Sequence, residues 1–471
     1  MMVTPVVSRE RKDMFRLNEI VKWTNAQSVN MSSDRPICGI SIDSRTIKKA
    51  ELFVAICGDK FNGHDYLFEA EEKRASAVLI NKKWADFHPD QINGLSCPVI
   101  LVENTNNALM DMAKGHRKKF NIPVIAVTGS NGKTTTKEML AEVLSARFKV
   151  LKSKASFNNN IGVPLSILEL NAGHDAAVLE LGMNHPGEIR ILSSIVRPNI
   201  AIITNVAAAH LGFFNSVDEI ISAKCELIEK ANELDLVISN ADCLDLFHKI
   251  KEHILSAVGI GIKNKCSYQA SNVISRQEGV AFTLNLKDTF RLNLLGEHNV
   301  YNALCAIAVA DHFKIDMSIV RERLKEIKPA KMRMERINFQ GIEIIADCYN
   351  ANPQSVTAAI ETLAAMSYKK RRIFILGDML ELGTHSDKFH AQIGELFTDI
   401  RIDKLVTIGE KAALSAEVAL KLGNKKNNVF MYDSVELAQT EIFQMLKEGD
   451  VVLIKGSRLM QLEKLIPGYK L

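Results

Sequence analysis

The sequence predicts an α/β protein of three successive domains, and three observations predict it. Short apolar, β-branched runs alternate with stretches of helical periodicity along nearly the whole chain. At one junction, VIAVTGSNGKTTTKEML from Val124 to Leu140, glycines, a lysine and three threonines stand where a strand should turn into a helix. And 471 residues give about three domains at roughly 150 residues each. Alternation of this kind argues parallel sheets covered by helices.

The first domain, expected over residues 1–118, carries strand-like runs at Gly39–Asp43, Leu52–Ile56, Ala77–Ile80 and Val99–Val102. The second, expected over 119–330, opens with the glycine-rich junction. A polar joint from Ile327 to Ile337 leads into the third, expected over 331–471. There Ile342–Ala346, Ile373–Leu376, Lys404–Ile408, Val429–Tyr432 and Val451–Ile454 read as strands with helical patterns between them.

The junction is built to hold phosphate. Glycines at a strand-to-helix turn let backbone N–H groups curl around an anion, the helix N-terminus adds partial positive charge, and Lys133 adds a full one. Thr134 then offers a hydroxyl to the Mg²⁺ that accompanies a nucleoside triphosphate. The match is a short form: the pattern G-x-x-x-x-G-K-[ST] wants glycine where Val127 stands, and here the glycine is Gly129.

Parallel sheets bind ligands at the carboxyl ends of their strands, so polar residues just after strands matter most. The run Ala177–Leu181 leads into ELGMNHPGE, with Glu180 near the strand end and Glu188 opening a helix; Asn199–Thr204 leads into NVAAAHLG and His210. In SVDEIISAKCELIEKA the apolar Val217, Ile220, Ile221, Leu227, Ile228 and Ala231 form one helical face, and Lys224 falls inside it. Periodicity leaves two readings of Lys224 open. It snorkels to solvent, or it is buried with a lowered pKa as a neutral, nucleophilic amine.

Composition narrows the class. Net charge is only +4, from 59 basic and 55 acidic residues, and no basic stripe with interleaved aromatics occurs, so nucleic acid is not an expected partner. The eight cysteines form no C-x-x-C pair, which argues reduced thiols rather than a disulfide frame or a zinc site. No apolar run reaches 18 residues and no signal-peptide core is present; a cytoplasmic protein without membrane association is expected.

Taken in order, TGSNGKTTTKEM, ELGMNHPGEI, AAAHLG, SAKCEL, GEHNVYNALCAIAVA and DCYNANPQS resemble the Mur ligases of bacterial cell-wall synthesis across nearly the whole chain. The YNANP stretch from Tyr349 to Pro353, and the lack of the D-N-P-R stretch of the diaminopimelate-adding relatives, side with the branch that adds D-alanyl-D-alanine. The resemblance implies a three-domain architecture with a central P-loop ATPase domain and a C-terminal Rossmann-like domain. It implies ATP and Mg²⁺ as cofactors, and UDP-N-acetylmuramoyl-tripeptide and D-alanyl-D-alanine as substrates of a monomeric enzyme. It also implies the reaction: ATP phosphorylates the tripeptide carboxylate, and the dipeptide amine attacks the acyl phosphate.

Residue roles follow from the same resemblance. Gly129, Ser130, Asn131, Gly132, Lys133, Thr134 and Thr135 would cradle the triphosphate, and Thr134, Glu180, His210 and Lys224 would hold magnesium. The counterpart of Lys224 in the family is carbamylated by CO₂, which makes a carboxylate-like ligand; Cys225 beside it departs from the common glycine. Asn299 is preferred to Asn302 as the adenine contact, Asp347 matches the acid near the ribose, and Arg333 matches the γ-phosphate arginine, with Arg336 in competition. Lys133, Lys224, His210 and Arg333 are the expected catalytic set. Ser44, Arg45, Asn62 and Gly63, with His64, resemble the uridine diphosphate pocket; Asn159, among Asn158–Asn160, and then Asn350 and Asn352 are expected at the peptide end. A folylpolyglutamate-synthase-like ligase fits less well, because its phosphate loop lies near the N-terminus. A motor or switch ATPase leaves the lysine-bearing helix unexplained.

Overall fold

The computed structural model describes residues 14–469 apart from 31–32, 59–60, 156, 209–211, 231–232 and 367–370. Two compact units result: one comprises residues up to Val124 with Leu151–Leu181 and Ile191–Arg197, the other Ile125–Val150, Gly182–Arg190 and Pro198–Leu471.

In the first unit a five-stranded sheet runs in the order Gln27–Val29, Val99–Val102, Ala77–Asn81, Glu51–Val54, Gly39–Ser41. Only the edge strand Gln27–Val29 is antiparallel to its neighbour. The inner strands are apolar on both faces because helices cover the sheet; Phe53, Val78, Ile80 and Val99 pack with Leu67, Ala70 and Leu95. The helix Thr105–Arg117 ends on two buried polar side chains. His116 donates from Nε2 to the Leu170 carbonyl, and Arg117 donates to the carbonyls of Val196 and Phe120. The same unit holds the strand Ala176–Glu180, buried at every position.

In the second unit the strand Val124–Thr128 pairs in parallel with Ile200–Ile203, which pairs with Leu236–Asn240, then Val258–Gly261, then Tyr268–Arg276. The last of these turns back through Gly279–Leu284 and Asp288–Leu292 as an antiparallel meander that the sequence pattern did not mark. The helix His298–His312, buried along most of its length, follows. A separate six-stranded sheet has the order Glu335–Phe339, Ile342–Asp347, Val451–Lys455, Arg372–Gly377, Lys404–Ile408, Val429–Tyr432. All its pairings are parallel except the first hairpin. Two apolar clusters, one on each face, give it the doubly wound form. The polar joint therefore runs into a strand: Glu335–Phe339 alternates half-buried and exposed positions, as an edge strand does.

Candidate active site

The phosphate loop forms at the expected junction. Strand Val124–Thr128 is wholly buried, and the helix Lys133–Leu144 starts directly after Gly132. Gly129 has φ +144°, and a Cβ there would stand 1.9 Å from the Thr204 hydroxyl; Gly132 has φ +82°, and a Cβ would stand 2.4 Å from Asn302 Oδ1. Both positions thus require glycine for conformation and for space. The Lys133 ammonium donates to the carbonyls of Gly129 and Ser130, at the mouth of the loop.

Two residues that sequence reasoning passed over hold this loop. Thr204 donates to the Asn131 carbonyl at 2.6 Å; Asn205 donates to the same carbonyl, accepts from the Asn131 N–H, and takes the Ser130 N–H on its own carbonyl. The signal was available, since both follow the apolar strand Ile200–Ile203. Beside the loop, Thr136 donates to Asn302 Oδ1, Asn302 donates to Asn299 Oδ1, and Asn299 donates to the Leu295 carbonyl. Asn299 and Asn302 are both buried in this relay, so the structure joins the two asparagines that the sequence set against each other.

Lys224 lies on the helix Val217–Cys225, capped by the Ser216 hydroxyl, and is 2% exposed. Burial, with a contribution from the Lys133 charge, holds its ammonium well below the usual lysine range. The snorkelling alternative is thereby excluded. Two residues on, the buried Glu226 accepts the N–H groups of Gly187 and Arg190 and so anchors the NHPGE loop, while Glu188 accepts those of Asn184 and His185. Glu188 is thus a loop anchor. Among the described residues no group of three or more His, Cys, Asp or Glu is placed to hold a metal ion. Thr134 is a hard oxygen donor, and Lys224 becomes one only as a carbamate, for which its neutral amine is the reactive form. Both residues lie in the second unit, and the Lys133 charge acting on Lys224 sets that lysine near the phosphate loop. His210 lies outside the described residues.

The third-domain residues come together at one sheet end. Asp347 ends its strand and pairs with Lys455 at 2.7 Å; its other oxygen accepts the Met334 N–H. Lys455 also donates to the Asn350 carbonyl. The Arg333 guanidinium lies 4.1 Å from the Tyr349 ring centroid, whereas Arg336 is bound to Glu343 across the hairpin and to the Gln277 carbonyl. Asn352 caps the helix Pro353–Ala365 and meets Asn131.

In the first unit Glu180 is buried at its strand end and accepts from Asn158, while Asn159 folds back to accept the N–H groups of Ile161 and Gly162. Ser44 donates to Glu69, and Arg45 is exposed and doubly bonded to Asp43, which lowers the Asp43 pKa. Asn62 accepts from the His64 N–H and faces His64 Nδ1 at 2.7 Å. His64 Nε2 accepts the Asn81 N–H, which fixes the proton on Nδ1. A Cβ on Gly63 would stand 2.7 Å from the Ile56 N, so that glycine serves backbone packing.

The fold and the loop define a class: a P-loop nucleotide-binding protein followed by a doubly wound α/β domain. Three family models match in order: "Mur ligase family, catalytic domain" over 36–117, "Mur ligase middle domain" over 127–310, and "Mur ligase, glutamate ligase domain" over 332–458. The UDP-N-acetylmuramoyl-tripeptide–D-alanyl-D-alanine ligase of Bacillus subtilis is 35% identical over 97% of this chain and 98% of its own. That of Haemophilus influenzae is 35% identical over 92% and 93%. A MurF crystal structure from Acinetobacter baumannii superposes with a TM-score of 0.83 at 27% identity, covering 95% of this chain and 97% of that one. The MurF ligase from Thermotoga maritima in complex with ADP gives 0.77 at 26%, covering 91% and 96%. The chain belongs to the Mur ligase family.

Proposed function

We infer that the protein is an ATP-dependent ligase that adds D-alanyl-D-alanine to UDP-N-acetylmuramoyl-tripeptide through an acyl phosphate, giving the pentapeptide precursor of peptidoglycan. The observation that carries this is the full-length likeness to ligases of that name, with the phosphate loop intact within it. The chemistry must hold two anions, carboxylate and γ-phosphate, side by side, so it needs cations aimed between them. Lys133 and the loop N–H groups other than those of Ser130 and Asn131, which Asn205 engages, are proposed for the triphosphate. Arg333, placed over the Tyr349 ring, is suited to the transferring phosphoryl group. Asn299 is proposed at the adenine and Asp347 at the ribose.

Magnesium, when bound, would screen phosphate charge. Thr134 and Lys224, the latter as its CO₂-derived carbamate, are proposed to hold it, with Glu180 and His210 in the ligand roles that the family implies. Ser44, Arg45, Asn62 and Gly63 are proposed for the UDP-sugar, and Asn159, Asn350 and Asn352 for the peptide end. A cytoplasmic place of action is proposed; no helix among the described residues is long and apolar enough to cross a membrane. The test is ADP release with ATP, Mg²⁺ and UDP-N-acetylmuramoyl-tripeptide, with and without D-alanyl-D-alanine, with product mass. Dipeptide-dependent release and a pentapeptide mass are expected; release indifferent to both substrates would overturn the assignment.

A further inference from the structure

The side chain of Asn131, in the middle of the phosphate loop, does not turn into the loop. Its amide meets two residues at the start of the helix Pro353–Ala365, more than two hundred positions along the chain: Asn352 Nδ2 donates to Asn131 Oδ1 at 2.8 Å, and Asn131 Nδ2 donates to Gln354 Oε1 at 3.0 Å. The Asn131 backbone is pinned as well. Its N–H goes to Asn205, and its carbonyl accepts from Thr204 and Asn205. On the far side, Asn352 is fixed by its own capping box, its Oδ1 taking the Ser355 N–H while Ser355 Oγ takes the Asn352 N–H. Both ends of the contact are thus held by their own hydrogen bonds, and the amide pairing links them.

We propose that Gln354, with Asn352, is a positioning residue for the ligase reaction: the two form an amide clasp on Asn131 that holds the phosphate loop against the domain carrying Arg333 and Asp347. The proposal rests on the ligase reading for its kinetic consequence, but the clasp itself is a contact that can be measured without turnover. Arg333 sits on a different segment from Lys133, so a reacting phosphoryl group meets both cations only while the two segments are held in register. Neutral hydrogen bonds suit such a contact, since each contributes modestly and can be made and broken during a catalytic cycle.

The experiment uses the full chain with Gln354→Leu, Gln354→Glu, Asn131→Ala and the double variant Asn131→Ala/Gln354→Leu. Gln354→Leu removes the acceptor and should lower kcat about 3- to 10-fold, the range of one neutral hydrogen bond, while ADP affinity stays within about twofold. Gln354→Glu keeps the acceptor and should restore kcat. Adding Gln354→Leu to Asn131→Ala should cost nothing further, because the partner is already gone. Hydrogen exchange of residues 129–136 is the second readout: it should speed up in Gln354→Leu and return to wild-type rates in Gln354→Glu. A wild-type kcat and unchanged exchange in Gln354→Leu, or additive losses in the double variant, would overturn the clasp. If the wild type shows no dipeptide-dependent ADP release, the functional assignment fails, and the exchange rates alone still decide the clasp.

Discussion

Asp347 and Lys455 are the last residues of two adjacent parallel strands, stand opposite one another in register, and form a 2.7 Å ion pair in which the lysine is 2% exposed. The lysine is a further residue that the sequence pattern only placed after a strand, and it connects the acid, the Asn350 carbonyl and the sheet end.

Removing that lysine alone strands a largely buried carboxylate. Lys455→Met should cost about 3 kcal/mol, the low end for breaking a buried pair because Asp347 keeps some solvent contact. Adding Asp347→Asn should recover part of the loss. Urea unfolding of the single and double variants checks this, and additive losses would contradict the pairing.

The asparagine relay predicts a division of labour. Asn302→Ala leaves the Thr136 hydroxyl without its acceptor and Asn299 Oδ1 without its donor, so stability should fall by about 1–3 kcal/mol while ADP affinity changes little. Asn299→Ala should weaken ADP binding by roughly tenfold, the scale of one well-made hydrogen bond in a buried site. Calorimetric titration beside unfolding curves separates the two, and the reverse ranking would exchange the adenine assignment.

For Lys224, the proposed carbamate predicts chemical rescue. Lys224→Ala should abolish ligation, and added short-chain carboxylates should restore part of it by supplying the missing oxygen ligand. Full activity of the unsupplemented variant would remove the lysine from the metal site.

Burial holds both His64 and His116 down to about 4, against an ordinary value of 6.5. Between those values the unfolded chain binds more protons than the folded one, so stability rises with pH across the window and is lost as pH falls from about 6.5 toward 4. His116→Gln should flatten that slope for the first unit, since glutamine can still reach the Leu170 carbonyl without titrating. Urea midpoints at pH 7, 5.5 and 4.5 measure it; an unchanged slope would assign the acid loss to other groups.

By itself the sequence determined the elements and the chemistry that local pattern encodes. The strands Val99–Val102 and Lys404–Ile408 are found with their expected bounds because a buried parallel strand reads as a nearly continuous apolar run, and the edge strand Val429–Tyr432 is found with its bounds although Met431 is exposed. The turn carrying Gly129, Gly132, Lys133 and Thr134 was legible because glycines and a lysine between an apolar run and a helical pattern mark one strand-to-helix junction. Only the tertiary structure decided the rest. The burial of Lys224, the placing of Arg333 over Tyr349 and of Arg336 against Glu343, the turning of Asn159 away from Asn158 and Glu180, and the engagement of Asn131 by Asn352 and Gln354 depend on neighbours distant in the chain or on side-chain direction. Periodicity states which face a residue shares; it carries no record of what packs on that face, and that contact is what sets a pKa or aims a guanidinium.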